Sequence, residues 1–339
     1  MSEVNLPVTR GPLRSLTGVQ IIGTGSFVPD NVVRNEDLAK LGFDADWIVQ
    51  RTGIRERRHA PPDMATSDMS IIAAQRAIES AGVDPSDIDL VVLGTFSPDH
   101  LLPATACIIQ DRLNLHCPAM DVQAACAGFL YAIVTGMQFV ATGSSKLALV
   151  IGADTNSRVM NPADMKTYPL FGDGAGAVLI TAGSPEQGLL AYTLGADGSG
   201  AELLWRSHGG SRSPLTASIV EEGLHFVQMD GRPVFKWAIR LLQDTIDEVL
   251  AGAKRKRDDV DLWVLHQANL RIIDAVVDNM ALGREKIVIH VERYGNTSSA
   301  SVPIALDEAM RDGKIQPGTE VMLSGFGAGL SWGTALCRW

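Results

Sequence analysis

Residues 121–142, DVQAACAGFLYAIVTGMQFVAT, decide how this chain reads. The first residues predict a short strand, AACAG a tight small-residue turn, and the rest a long apolar helix. Cys126 falls where strand passes to helix. No charged residue occurs from Val122 to Ser145, a length and character that a transmembrane span would share. Against a span stand Gln123, Gln138, the glycines at 128, 136 and 143, and the lack of a basic flank on the N-terminal side. Tyr131, Thr135, Gln138 and Thr142 recur every three or four residues, one mildly polar stripe on an otherwise apolar helix. That pattern suits a helix buried at the centre of a large globular protein.

A thiol at the first turn of a helix faces unsatisfied backbone N–H groups and the positive end of the helix dipole, which favour the thiolate. Ala124, Ala125, Ala127 and Gly128 leave room for a substrate to reach the sulfur. A buried cysteine that merely fills space would have the same neighbours. On this stretch alone both readings stand.

The 339 residues suffice for one large domain or two fused halves. A hydrophobic content of 46% with 33 glycines describes a well-packed α/β protein, not a disordered or fibrous one. A formal net charge of −10 argues against a nucleic-acid binder, whose footprint would be basic. The four cysteines (Cys107, Cys117, Cys126, Cys337) form no CxxC pair and no metal-ligand spacing, so neither a disulfide framework nor a metal site is expected. The N-terminus, MSEVNLPVTR, has no apolar run behind basic residues, which predicts no secretory signal and a cytoplasmic location.

In chain order, residues 1–17 read as an irregular leader, and 18–33 (GVQIIGTGSFVPDNVV) as a strand, a glycine turn and an extended segment. GTGS lacks the lysine of a phosphate loop. Residues 67–81 have helical periodicity with a cap at Thr66 or Ser67. Segments 88–96 and 146–155 are buried strands, 171–183 is a glycine turn leading into a strand, and 194–218 is a glycine- and serine-rich loop. A long helix begins near Phe235.

An internal echo appears as well. ESAGVDPSDIDLVVLGTF (79–96) and LAGAKRKRDDVDLWVLHQA (250–268) share a helix end, an acidic turn, an [IV]DL-x-VL strand and a loop. KLALVIGADT (146–155) and TEVMLSGFGAG (319–329) are both strands ending in small-residue turns. Two matches in the same order predict a duplicated α/β unit, residues 18–185 and 186–339, with the nucleophile candidate in the first half.

Besides Cys126, two polar residues follow strands where α/β sheets bind ligands: His266 in VLHQAN and Asn296 in ERYGNTSSAS. A structural histidine and a turn asparagine are the plain alternatives. GFGAGLSWG (325–333) is either a flexible turn or a place where backbone N–H groups approach an oxyanion.

Together these strings are more specific than any one of them. WIVQRTGI, DVQAACAGF, FGDGAGA, VFKWA, HQANLRI, YGNTSSAS and GFGAGLSWG occur in the order found in the β-ketoacyl-acyl-carrier-protein synthase III family, which the chain resembles over residues 18–339. The resemblance implies a thiolase-type fold, two similar five-stranded halves stacked as αβαβα layers. It implies a homodimeric acyltransferase that condenses an acyl-CoA primer with malonyl-acyl-carrier protein, without metal or redox cofactor, at the start of fatty-acid synthesis. Carried onto this sequence, Cys126 is the acyl-accepting nucleophile, and His266 and Asn296 bind the malonyl thioester oxygen. The N–H groups of Cys126 and Ala328 form the oxyanion hole, with Phe235 and Phe326 lining the site. Trp47, Arg51 and Thr52 hold coenzyme A, Leu102 closes the partner's primer pocket, and Lys236 and Arg271 dock the carrier protein.

Two departures stand out. Met165 falls where the family often has an arginine against the adenine, which removes a cation–π contact. Asp278 and Asn279 replace a lysine pair of the docking surface, so that Arg51, Arg284 or Lys286 must compensate. A related condensing enzyme or acyltransferase of secondary metabolism is the alternative; it often alters His or Asn, and both remain here. A thiolase lacks support because Cys337 lies outside any glycine motif, and a non-catalytic partner subunit would have lost Cys126.

Leucine at 102 leaves space for branched or longer primers, each fitting methylene adding up to about 0.8 kcal/mol of burial. Leu102→Phe should therefore bias the enzyme toward acetyl-CoA. The check is a panel of acyl-CoA primers ranked by kcat/KM, where an unchanged ranking would put the pocket floor elsewhere.

Overall fold

Apolar runs such as LVVL at 90–93 and LALVI at 147–151 have no polar face to turn toward water, so both sides of each strand must be covered. In the computed structural model, which describes residues 13–339, helices provide that cover. Ten strands form two five-stranded sheets: β1 (Arg14–Thr17), β2 (Val19–Phe27), β3 (Leu90–Gly94), β4 (Ala119–Val122), β5 (Leu147–Asp154), β6 (Gly174–Ala182), β7 (Gly188–Ala196), β8 (Leu262–Leu265), β9 (Glu320–Gly327) and β10 (Ser331–Arg338). The helices that matter below are α1 (Ala45–Thr52), α2 (Thr66–Ala81), α3 (Thr105–Arg112), α4 (Gly128–Ala141), α5 (Gly231–Ala253), α6 (Leu270–Met280) and α7 (Ser301–Arg311).

The first sheet runs β2-β6-β5-β3-β4 and the second β1-β7-β10-β9-β8. Within them, β3 with β5 repeats as β8 with β9, a parallel pair. Antiparallel β6 and β2 repeat as β10 and β7. The echo seen in the sequence is therefore a repeat of topology. Where β4 lies beside β3, the second sheet keeps a single parallel bridge between Trp263 and Ile287.

Helices α4 and α7 lie between the sheets. Phe129, Leu130 and Ile133 of α4 and Leu306 of α7 share one apolar cluster with Val150 of the first sheet and Leu323 of the second. A second cluster buries α2 and α3 on the outer face of the first sheet, and a third buries α5 and α6 on the outer face of the second. The result is the five-layer αβαβα arrangement of the thiolase fold. The polar stripe on α4 faces β7, where Tyr131 Oη donates to Gly195 O at 2.8 Å and Gln138 Nε2 donates to Tyr192 Oη at 3.1 Å. No helix of the described residues is long and apolar enough to cross a membrane.

Three local expectations need correction. Residues 14–17 are not leader but β1, paired antiparallel with β7; residues 1–12 lie outside the described residues. GTGS is not a turn but the middle of β2, because its glycines let α2 lie directly on the strand. A Cβ on Gly25 would stand 2.4 Å from both Ala73 O and Ala77 N. Finally, the N-cap of α2 is Ala65, whose N–H donates to the Asp68 carboxylate at 2.6 Å.

The close approach at Gly25 is backbone against backbone and cannot yield by a side-chain rotation. Gly25→Val should cost at least about 2–3 kcal/mol, read as a lower Tm in thermal denaturation. Gly198→Ala, where nothing lies within 4 Å of the added Cβ, is the control and should stay within about 0.5 kcal/mol.

Candidate active site

Strand ends from both sheets converge on the turn before α4. Cys126 occupies a single 3₁₀ turn, Ala125–Ala127, with Ala125 at φ +45°. Gly94 at the end of β3 lets this turn sit on the sheet, since a Cβ there would be 2.6 Å from Gly128 C. Gly327 at the end of β9 does the same from the other sheet, with a Cβ position 2.6 Å from Cys126 N. Ala127 and Gly128 are therefore buried packing residues, and the small side chains that line open space are Ala124 and Ala125.

Burial outweighs the helix end at the sulfur. The Cys126 thiol is pushed up to about 12, first by desolvation and further by Asp154, against a lowering by the Ser298 hydroxyl that donates to Sγ at 3.2 Å. Burial thus works against the thiolate that the helix end favours. The dipole acts over the first turn and is a modest effect, whereas removing a thiolate from water is a large one.

His266 directly follows β8 and is buried. Gly325 of β9 lies between it and Cys126: a Cβ there would stand 3.6 Å from Cys126 O and 3.7 Å from His266 Cβ. Ser301 Oγ accepts from Gln267 N at 3.4 Å and lies 2.5 Å from His266 Nδ1. That contact couples the hydroxyl to the tautomer: when Ser301 donates to Nδ1, the neutral imidazole carries its proton on Nε2. Desolvation, with a smaller contribution from His290, lowers the His266 pKa to about 3 and keeps the ring neutral. Phe326 meets the ring edge-on at 5.3 Å between centroids.

Asn296 reaches the same turn from the other half of the chain. Its Oδ1 accepts from Ser298 N at 2.8 Å, which leaves the Nδ2 amide protons free of partners among the described residues. The turn needs positive φ at Gly295 (+64°) and Ser298 (+54°), not at Asn296; the Asn296 side chain serves the turn through Oδ1 alone, an Asx turn that leaves its amide nitrogen over. Ser298 thus contacts both Cys126 and Asn296. The turn Ser298–Ala300 ahead of α7 repeats Ala125–Ala127 ahead of α4, each opening with a positive-φ residue.

Sequence reasoning missed Ser298, Ser301, Gln267 and, above all, Asp154. Asp154 Oδ1 accepts from Thr95 Oγ1, Phe96 N and Ser97 N and Oγ at 2.7–3.1 Å, while Oδ2 accepts from Ser299 N at 3.0 Å. Ser299 Oγ lies 2.6 Å from the same Oδ2. The only signal was an acidic residue ending a wholly apolar strand.

Ala124, Ala125 and Ala328 open onto a cavity of about 840 Å³ that also reaches Tyr131, Leu204 and Leu101. Leu101 and Leu102 stand 89% and 87% exposed on the loop beside it. The Ala328–Leu330 turn is pinned, not flexible: Leu330 and Asp197 exchange both backbone hydrogen bonds at 2.8 Å.

A second group of expected residues gathers where α1 meets α6. The Arg51 guanidinium lies 5.9 Å from the Trp47 ring, Asn269 Nδ2 donates to Arg51 O at 3.3 Å, and Arg271 stands 5.7 Å from the Phe235 ring. Lys236, Arg271 and Met165 are exposed. Thr52 differs: it is buried, its hydroxyl donating to Ile48 O and accepting from Ile54 N. Of the compensating cations, Arg284 pairs with Asp274 at 2.7 Å and Lys286 Nζ donates to Asp258 O and Val260 O. Both are engaged within the fold, leaving Arg51; Asp278 and Asn279 are exposed as expected. Cys337 lies buried in β10 within the central apolar layer.

Residues 120–198 match the family described as 3-oxoacyl-[acyl-carrier-protein (ACP)] synthase III, and residues 250–339 match that family's C-terminal part. The β-ketoacyl-[acyl-carrier-protein] synthase III of Rhodopirellula baltica is 51% identical, across 96% of this chain and 99% of that one. The protein of the same name from Natranaerobius thermophilus is 42% identical, across 96% and 100%. The crystal structure of 3-oxoacyl-[acyl-carrier-protein] synthase III from Aquifex aeolicus VF5 superposes with a TM-score of 0.88 at 38% identity, covering 95% of this chain and 100% of that one.

A thiol held near 12 is almost wholly protonated at neutral pH, and its reactive fraction rises about tenfold per pH unit. Iodoacetamide modification of Cys126, followed by peptide mass mapping, should accelerate with a slope near one from pH 7 to 9.5. A plateau below pH 8 would mean a thiolate already present in the resting site.

Proposed function

The chain belongs to the β-ketoacyl-[acyl-carrier-protein] synthase III family, and we propose how its own residues carry that family's reaction. It is an acyltransferase: an acyl-CoA primer and malonyl-acyl-carrier protein condense to β-ketoacyl-carrier protein, coenzyme A and CO₂, which begins fatty-acid synthesis. The observation that carries the assignment is the shared neighbourhood of Cys126, His266 and Asn296, linked through Ser298 and Gly325.

In the first half-reaction Cys126 Sγ attacks the primer thioester carbonyl. The backbone N–H groups of Cys126 and Ala328 stabilise the oxyanion, the C–S bond to coenzyme A breaks, and the thiol proton leaves with it. The primer chain extends into the cavity beyond Ala124 and Ala125, with coenzyme A along Trp47 and Arg51; Thr52 shapes the end of α1 instead of touching ligand. In the second half-reaction malonyl-carrier protein loses CO₂. The electron pair left behind passes into an enolate whose oxygen receives His266 Nε2–H and Asn296 Nδ2–H. The enolate carbon then attacks the acyl-cysteine, the acyl–sulfur bond breaks, and Cys126 leaves as a thiolate that takes a proton from solvent. The chemistry asks for a thiol, two neutral donors and backbone N–H groups.

The carrier protein is acidic, and exposed Lys236 and Arg271 beside Phe235 suit it. Two leucines left in solvent at the cavity rim suit a homodimer in which each copy covers the other's cavity. The duplicated halves divide between β6 and β7, near residue 185, with β1 adding to the second half's sheet.

The half-reactions should separate on mutation. Cys126→Ala should lose acyl-enzyme formation and condensation but retain some malonyl decarboxylation. Asn296→Ala should form the acyl-enzyme yet lose CO₂ release by 100-fold or so, the scale of removing one donor from a developing oxyanion. His266→Ala should impair decarboxylation more than acylation. Transacylation and ¹⁴CO₂ release are assayed separately, and wild-type CO₂ release by Asn296→Ala would show that these roles are wrongly assigned.

A further inference from the structure

Arg57 is fully buried, yet the reaction as described has no use for it. It lies in the short strand Glu56–Arg58, opposite Val33 of the strand Val32–Arg34. Nη1 donates to Val33 O at 3.1 Å, and Nη2 donates to Asn35 Oδ1 at 2.7 Å and to Pro169 O at 2.8 Å. Nε has no partner, and among the described residues no carboxylate pairs with the guanidinium. Desolvation lowers its pKa to about 10, so it remains a cation at neutral pH. A buried unpaired charge is costly, and a neutral side chain of similar volume would pack at least as well. What a neutral side chain lacks is a rigid fork of donors that reaches three acceptors at once.

One of those contacts, to Pro169 O, ends on the segment that holds Asn296. Asn296 N donates to Leu170 O at 2.8 Å, and Gly172 N donates to Asn296 O at 3.0 Å, so that Phe171 and Asn296 form a parallel bridge. Arg57 ties down the head of that segment through Pro169 O. Its own stem presses on both strands of the bridge: Arg57 Cβ lies 3.2 Å from where a Cβ of Gly172 would stand, and equally 3.2 Å from that of Gly295. The two glycines let the stem fit between the Asn296 strand and its partner. On the far side, Asn35 Nδ2 donates to Ile54 O, anchoring the clamp to the chain around α1. No hydrogen bond of Arg57 reaches the Cys126 turn.

We propose that Arg57 is a positioning residue for Asn296, fixing the backbone from which the Asn296 amide is presented to the malonyl thioester. The inference rests on the reading that Asn296 serves decarboxylation. It predicts a defect confined to one half-reaction, which a merely structural arginine would not produce.

The experiment uses the full chain with Arg57→Lys, Arg57→Met and Asn296→Ala, singly, and with Arg57→Lys combined with Asn296→Ala. Cys126 acylation by acyl-CoA is followed by intact mass, and ¹⁴CO₂ release from malonyl-carrier protein is measured on the same preparations. Acylation counts the correctly folded sites in each sample. The expected result is acylation within twofold of wild type, with CO₂ release down at least tenfold in Arg57→Met. Arg57→Lys, which keeps the stem and one tether, should fall between, and in the Asn296→Ala background it should add less than a twofold loss. Parallel losses in both half-reactions, unchanged CO₂ release, or losses that multiply in the double variant would each overturn the proposal. Wild-type CO₂ release by Asn296→Ala would instead overturn the reading of Asn296 itself, and the inference with it.

Discussion

A single buried carboxylate holds the site together. Asp154 ends β5 and gathers the backbone and hydroxyl donors of residues 95–97 from the first half and of Ser299 from the second. A buried donor left without an acceptor costs about 1–3 kcal/mol; among the described residues only Ser97 N and Ser299 Oγ of these donors have a second acceptor, Thr95 Oγ1 and Gly94 O. Burial raises the Asp154 pKa, and the converging hydrogen bonds oppose that rise. Because Ser299 is the neighbour of Ser298, the carboxylate sets where the second half's turn stands relative to Cys126.

The site is a meeting of two copies of one structural idea. Each half ends its parallel strands beneath a 3₁₀ turn with a positive-φ residue, and each turn feeds a helix of the central layer. The first copy carries sulfur at its turn; the second carries serines that hold the first in place. Asymmetric function arises here from equivalent backbone, and the glycines at 94 and 327 are the points at which the two sheets let the nucleophile's turn come close.

Much of this was legible beforehand, and the misses have physical causes. The strands at 88–96 and 146–155 and the central helix announce themselves because burial on all sides leaves few polar residues. The echo between 79–96 and 250–268 survives because acidic turns and strand cores are local. Asp154 escaped notice because its partners lie 57 to 145 positions away, with no spacing to give them away. β1 is four residues long and exists only because β7 has a free edge beside it. GTGS has the composition of a turn, and only the α2 backbone explains glycine inside a strand. The pull of burial against the thiolate was illegible for a different reason: a helix end is visible in sequence, whereas the depth of burial depends on the whole fold.

That depth has a consequence for survival between turnovers. Peroxides and related oxidants attack thiolates far faster than thiols, and the first product, a sulfenic acid, leads on to irreversible forms. A nucleophile whose thiol lies near 12 offers such oxidants almost no anion. The packing that positions Cys126 for its substrate thus also disfavours the form of the sulfur that oxidants attack.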